Sequence, residues 1–211
     1  FDLEFEVVPQ LKPPKEISLK TVYTNSDSYM KQEKKIKIFY TDGACSGNPG
    51  KGGFGVVSIG KGYVTVPNSL GNKEKKEVRT IDYCYEEYCS MTTNNREELK
   101  AILHVFKIAA ADPTNEYLVY SDSAYAVNII NDWIWKWAKN NWLNSKKQVV
   151  ENLDLVKEIY KYLTIDFFNC QVKKTSGHAG IVGNELADAL ATSERSKWNK
   201  ILATNELLVA F

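Results

Sequence analysis

The sequence predicts an α/β domain built on a mixed sheet with helices on its faces. Three observations lead there. Strand-like alternation clusters early in the chain, and strand and helix patterns alternate after it. The composition is that of a globular protein: of 211 residues, 44% are hydrophobic and 25% charged. Strands linked by hairpins pair antiparallel, whereas a strand that follows a crossover helix returns parallel, so this order implies both pairings in one sheet.

Each element has its own signal. Lys35–Thr41 alternates, with Ile36, Ile38 and Tyr40 on one face. Gly53–Ile59, Tyr63–Val66 and Val78–Tyr88 read as strands, and the charged, turn-rich Asn68–Glu77 reads as a hairpin tip between them. A helix starts near Asn95 and stops at Asp112-Pro113. Its polar stripe runs Glu97, Lys100, His104, Lys107, which predicts a solvated face, while Glu98 shares its side with Ile102, Val105 and Ala109. The apolar run Tyr117–Tyr120 reads as a buried strand, with a helix from Ser123 and another over Asn152–Leu163. Asp166–Lys173 is the last predicted strand and Asn184–Ser193 the closing helix. The domain is therefore expected over residues 36–194, with 1–35 as an N-terminal extension and 195–211 as a C-terminal one. In the first extension Phe1, Leu3, Phe5 and Val7 alternate before Pro9, Pro13 and Pro14. That pattern predicts an edge strand, whose partner is expected to be the apolar tail Leu207–Phe211.

Composition excludes several classes. Lys+Arg 27 against Asp+Glu 26 leaves a net charge of +1, so there is no global basic signal and any nucleic-acid function must be read locally. No apolar run approaches the ~20 residues of a membrane helix. The chain begins at Phe1 without a basic-then-apolar leader, so a secreted protein is not expected. Cys45, Cys84, Cys89 and Cys170 lack zinc-site spacing and read as reduced thiols, which fits a cytoplasmic or other reducing compartment. A monomer is expected. Gly50-Lys51-Gly52-Gly53-Phe54-Gly55 matches a dinucleotide fingerprint but leads into a strand instead of a helix, so it is set aside.

Several acids sit where structural roles explain them incompletely. Asp42 ends the apolar face of its strand, where a turn Asp before Gly43 is the alternative. Glu98 lies on a semi-apolar helix face, which costs several kcal/mol unless the carboxylate is paired or holds a cation. Asp122 follows a buried strand, either as a helix cap or as an acid at the strand's carboxyl end. Asp188 lies among Leu186, Ala187, Leu190 and Ala191, and a solvated helix position explains it equally well. His178 sits in the glycine-flanked loop Ser176–Gly180, where a histidine is often incidental. If these carboxylates converge, the site is all oxygen and suits Mg²⁺ or Mn²⁺. Two such ions ~4 Å apart form the arrangement nucleases use.

Four ordered strings carry these residues: Thr41-Asp42-Gly43-Ala44-Cys45-Ser46-Gly47-Asn48-Pro49-Gly50; Thr92-Thr93-Asn94-Asn95-Arg96-Glu97-Glu98-Leu99; Ser121-Asp122-Ser123; and Gly177-His178-Ala179-Gly180 followed by Asn184-Glu185-Leu186-Ala187-Asp188. Together they resemble type 1 ribonuclease H, and the free-standing cellular type more than the retroviral one. The resemblance implies the ribonuclease H-like fold, a five-stranded mixed sheet with three antiparallel and then two parallel strands. It implies an endonuclease that hydrolyses the RNA strand of an RNA–DNA hybrid to 5′-phosphate and 3′-hydroxyl ends. Asp42, Glu98, Asp122 and Asp188 match the acids that hold two Mg²⁺ ions, for which Mn²⁺ substitutes, and His178 matches an assisting histidine. Cys45, Asn48, Asn94, Asn95 and Asn184 match substrate contacts, and Thr93 matches a DNA-phosphate contact. Trp133, Trp135, Trp137 and Trp142 with Lys136, Lys139, Lys146 and Lys147 fall where the family carries a protrusion that grips DNA; Trp133, Trp137, Lys136 and Lys139 are its expected contacts. Ala124 replaces a frequent glutamine, and Ala138, Asn140 and Asn141 make the protrusion weakly basic. Two other readings stay open: a nuclease domain of a larger reverse-transcriptase polyprotein, and a catalytically weak hybrid-binding module. The second predicts a missing acid, and none is missing.

Overall fold

A computed structural model describes residues 34–177 and 179–211. The sheet is nucleated by β1 (Ile36–Ser46), β2 (Gly50–Pro67) and β3 (Lys73–Thr92), which form an antiparallel meander. Helix α1 (Asn94–Ala111) then crosses to β4 (Glu116–Ser121), which pairs parallel with β1. Thr93 caps α1, its hydroxyl accepting from the Arg96 amide at 3.3 Å, and Pro113 prevents further helix. After β4, α2 (Ala124–Asn128) passes through a π-helical turn at Ile129–Trp133 into α3 (Ile134–Lys139). Helix α4 (Leu153–Leu163) leads to β5 (Cys170–Lys174), parallel to β4, and α5 (Val182–Ala191) follows. Helix α6 (Arg195–Thr204) and β6 (Leu208–Val209) complete the chain, giving a sheet order β5-β4-β1-β2-β3-β6.

The mixed sheet flanked by helices is as expected, with corrections in detail. The sheet has six strands, not five, because the tail adds parallel to β3 through Thr80↔Leu208 and Ile81↔Val209. Residues 195–211 lie in the compact unit Lys35–Phe211. The alternating segment at Phe1–Val7, expected to partner the tail, lies outside the described residues, and the tail's partner is β3. The two strands expected at Gly53–Ile59 and Tyr63–Val66 are one 18-residue strand, and β3 runs 20 residues. Their pairing tolerates a bulge between Ser58 and Ile59, which keeps both strands growing past the edge of β1. No helix among the described residues is long and apolar enough to cross a membrane.

Two apolar layers flank the sheet. On one face Phe39, Phe54, Val56 and Val119 pack against Leu99, Ile102 and Phe106 of α1 and Val156 and Ile159 of α4. On the other, Val57 and Ile81 meet Leu186 and Leu190 of α5 and Trp198 of α6. Between these layers, at the carboxyl end of the parallel pair β1–β4, the helices α1 and α5 approach the same point. Open α/β sheets place their sites at this kind of position.

Candidate active site

Asp42 lies on β1 opposite Gly55 of β2 and is only 7% exposed. Glu98 comes from the second turn of α1 and is 3% exposed. Their proximity depends on Gly43: a Cβ there would stand 2.3 Å from the Glu98 backbone nitrogen, so no larger residue lets α1 seat against β1. Asp122 follows β4, and its Oδ2 accepts from the Asn184 amide at 3.2 Å. Gly177 presses on the same carboxylate, where a Cβ would come within 2.7 Å of Oδ2.

One carboxylate oxygen from each of Asp42, Glu98 and Asp122 lies within 4.8 Å of the others. Like charges this close, out of water, disfavour ionisation. Burial first, then the Asp122 and Asp188 charges, pushes the Asp42 carboxyl up to about 8. Burial, then Asp42 and Asp122, raises Glu98 well above the usual carboxylate range. Glu98 Oε2 is buried without a hydrogen-bond partner among the described residues. A buried acceptor left unpaired beside two more acids is what a hard cation relieves, so the donor set fits a divalent oxygen-loving metal. Asp188, on α5, faces Asp42 from the side and lines the same cavity of about 280 Å³ with Gly43, Ala44, Cys45 and Asn94. A larger hollow along α4 is lined by Asp154 and Glu158 together with Lys157 and Lys161, so its acids lie among cations.

The remaining expected residues divide. Cys45 and Asn94 line the cavity. Asn48 Oδ1 accepts from the Asn94 amide at 3.0 Å, tying the β1–β2 turn to the exposed N–H groups at the start of α1. Asn95 and Thr93 sit half-buried in the same turn. Asn184 is 2% exposed and sits behind Asp122, which it orients. His178 lies outside the described residues. Trp133 and Trp137 are half-buried, with ring centroids 5.9 Å apart, and pack on the core beside Tyr125. Trp142 packs edge-on to Tyr160 at 5.2 Å, and Trp135 has the more exposed ring at 39%. Lys136 pairs with Asp132 at 2.9 Å on the surface, while Lys139, Lys146 and Lys147 are exposed.

One expectation fails. Glu97 is not on a solvated face: it is 1% exposed, and its Oε1 accepts from Thr92 Oγ1 at 2.6 Å and Lys100 Nζ at 2.8 Å. The long β3 covers that stripe of α1, and His104 is caught there too. Its ring stacks on Tyr85 at 4.1 Å and its Nε2 lies 2.6 Å from Tyr83 Oη. Burial, with Lys107 adding to it, lowers the His104 imidazole to about 4. Sequence reasoning also missed Lys197 of α6, whose ammonium donates to Asp188. Its only signal was a lysine in the first turn of a helix, where the dipole disfavours a cation.

The RNase H family pattern matches residues 34–196. The chain belongs to the ribonuclease H family. It is 41% identical to the ribonuclease H of Caldicellulosiruptor saccharolyticus over 160 residues, 75% of this chain and 95% of that one. It is 44% identical to that of Caldanaerobacter subterraneus over 169 residues, 80% of this chain and 96% of that one. Among solved structures it resembles LC9-RNase H1, described as a type 1 RNase H with the type 2 active-site motif. The TM-score is 0.54 at 25% identity, covering 77% of this chain and 73% of that one. The foamy viral protease-reverse transcriptase, solved in complex with RNA/DNA hybrid, shares the fold with a TM-score of 0.59 at 21% identity, covering 90% of this chain and 24% of that one. Membership of the family makes the chain a nuclease, and its motif strings are those of type 1.

Proposed function

We propose that the chain hydrolyses the RNA strand of RNA–DNA hybrids endonucleolytically, leaving 5′-phosphate and 3′-hydroxyl ends. Asp42, Glu98, Asp122 and Asp188 would hold two Mg²⁺ ions, or Mn²⁺ in their place. The observation that carries this reading is the trio of acids within 4.8 Å, Asp42 and Glu98 buried and Asp122 half-buried, with Glu98 Oε2 unpaired among the described residues. When bound, the ions supply activation of the attacking water and neutralise charge at the leaving 3′ oxygen.

The protein's own residues do the positioning. Asp42 and Glu98 are fixed relative to each other because β1 and α1 touch at Gly43. Asn184 holds Asp122 by donating to its Oδ2 at 3.2 Å. Cys45 and Asn94 line the cavity and Asn48 is bonded to the Asn94 amide; with Asn95 they contact the minor groove, where 2′-hydroxyls distinguish RNA from DNA. Thr93 meets a DNA phosphate at the start of α1, where the helix dipole favours an anion. His178 moves protons at the leaving oxygen from its glycine-flanked loop, and His178→Ala is expected to lower turnover by roughly 10²–10⁴-fold. Unchanged single-turnover and steady-state rates would return it to an incidental role.

On the protrusion, the exposed lysines meet phosphate and the half-buried Trp133 and Trp137 chiefly support the helix. Changing Lys136 and Lys139 together to Gln should weaken hybrid binding across all sequences. The slope of log affinity against log salt should fall by roughly one unit for each phosphate no longer neutralised. An unchanged slope would remove these lysines from the interface. The reading as a whole is tested with an RNA–DNA hybrid, an RNA duplex and a DNA duplex of one sequence, with Mg²⁺ and with chelator. Only the RNA of the hybrid should be cut, and only with metal. Equal cutting of the RNA duplex or of any DNA strand would overturn the proposal.

A further inference from the structure

Helix α5 places Glu185 and Asp188 three residues apart, hence on one side of the helix. The chain then reverses sharply. Ser193 adopts φ 59, and the Glu194 amide donates back to Ala189 O at 2.8 Å, so α6 starts directly beside the helix it has just left. Trp198, 7% exposed in the second apolar layer, locks that reversal. One residue before it, Lys197 is thereby delivered to α5: its ammonium donates to Asp188 Oδ2 and lies 3.4 Å from Glu185 Oε2. The lysine stem is largely covered, with 27% of the side chain exposed, and the two acids are 18% and 23% exposed. Lys197 stands one residue beyond the stretch 34–196 that the family pattern matches.

Asp188 therefore has two sides. One faces Asp42, and the other is occupied by a cation that the chain itself supplies. The carboxylates with mutually close oxygens are Asp42, Glu98 and Asp122; Asp188 is not in that group. An ammonium in the first turn of a helix opposes the dipole, so its place is set by the acids it meets and not by α6 itself.

We propose that Lys197 is a resident counter-charge on Asp188 that sets how tightly the divalent cation at that carboxylate is held. The inference rests on the two-metal reading above. With the lysine present, a divalent ion must share Asp188 with a positive charge already bound to it and is repelled by that charge at close range. The affinity of the ion position at Asp188 is accordingly kept below that of the position formed by Asp42, Glu98 and Asp122. Glu185 gives the displaced ammonium a second anchor, so the lysine swings between two carboxylates without leaving the site.

The test is Mn²⁺ binding to the full chain without hybrid, followed by electron paramagnetic resonance and calorimetry. Wild type should bind two ions of unequal affinity. Lys197→Met should tighten the weaker one by about tenfold, the order expected for removing a unit charge ~6–8 Å from a divalent ion in a largely aqueous surrounding. Lys197→Gln, which keeps a donor but loses the charge, should do the same, and Lys197→Arg should behave as wild type. Lys200→Met removes an equal charge from an exposed position on the same helix and should shift the weaker site less than about twofold, as screening in solvent predicts. Half-maximal cleavage should move to lower Mg²⁺ in Lys197→Met with the hybrid KM unchanged. An unchanged or weakened second site in both neutral variants would overturn the role of Lys197 while leaving the two-metal reading intact. Mn²⁺ binding in wild type that Asp42→Asn does not alter would instead overturn both.

Discussion

Asp42→Asn is expected to abolish hybrid cleavage, by roughly 10³-fold or more, equivalent to about 4 kcal/mol of barrier. The amide fits the same space on β1 but cannot supply the negative charge with which Asp42, beside Glu98 and Asp122, would hold a divalent ion. Hybrid affinity should stay close to wild type, because the residues expected to contact the duplex sit on the β1–β2 turn, the start of α1 and the protrusion. Retention of a large fraction of the wild-type rate in Mg²⁺ would sink the metal assignment.

The same substitution carries an opposite expectation for stability. In the metal-free protein the Asp42 carboxyl is pushed up to about 8, and Glu98 is raised as well. A carboxyl raised by folding stabilises the fold while it is protonated in both states. That contribution is complete below the unfolded value near 4 and is lost as pH rises toward the folded one. Metal-free wild type should therefore lose stability between about pH 4 and pH 8, and Mg²⁺ should restore it by binding only the folded state. Asp42→Asn removes one of the crowded charges, so at pH 8 without metal it should melt higher than wild type, by roughly 2–4 °C for each kcal/mol relieved. It should gain little from added Mg²⁺. An inactive variant that is also less stable at pH 8 would mean that Asp42 holds the fold together and not an ion.

The site was legible where a short motif fixed both chemistry and backbone. Asp42 stands out at the end of an apolar strand face, with Gly43 read only as a turn residue; the structure adds that the missing side chain of Gly43 admits α1. Asp122 reads either as a helix cap or as an acid at a strand end; the cap is Ser123, whose hydroxyl accepts from the Ala126 amide at 3.1 Å. Periodicity served equally well for Glu98, whose neighbours Ile102, Val105 and Ala109 are all buried. What sequence did not reveal came from partners far along the chain. Gly53–Ile59 and Tyr63–Val66 read as two strands with a charged tip after them, and β2 and β3 instead form one long continuous ribbon. The tail, expected to pair with Phe1–Val7, adds to β3 as the sixth strand. Lys197 carries meaning only because a reversal at Ser193 folds α6 back on α5. No local pattern reports which side of a helix a later or earlier strand will cover.

Glu97 and Glu98 turn that last point into an experiment on adjacent residues. Successive helix positions point about 100° apart, so the two carboxylates enter different surroundings although both are almost fully buried. Glu98 faces Asp42 and Asp122 with an oxygen left unpaired among the described residues. Glu97 faces β3 with its Oε1 taken by the Thr92 hydroxyl and the Lys100 ammonium. Glu98→Gln should fold normally, melt no lower than wild type without metal, and lose cleavage by several orders of magnitude, since it neutralises an acid that like charges disfavour. Glu97→Ala should do the reverse. It strands the Thr92 hydroxyl, leaves Lys100 without its acid and opens a cavity under β3, which together cost about 2–4 kcal/mol, or roughly 5–15 °C in melting temperature. Its turnover per folded molecule at low temperature should remain within about tenfold of wild type, because no Glu97 oxygen reaches the trio. Chemical denaturation and single-turnover cleavage of both variants separate the two roles. A stable, inactive Glu97→Ala would place Glu97 in the metal site and displace Glu98 from it.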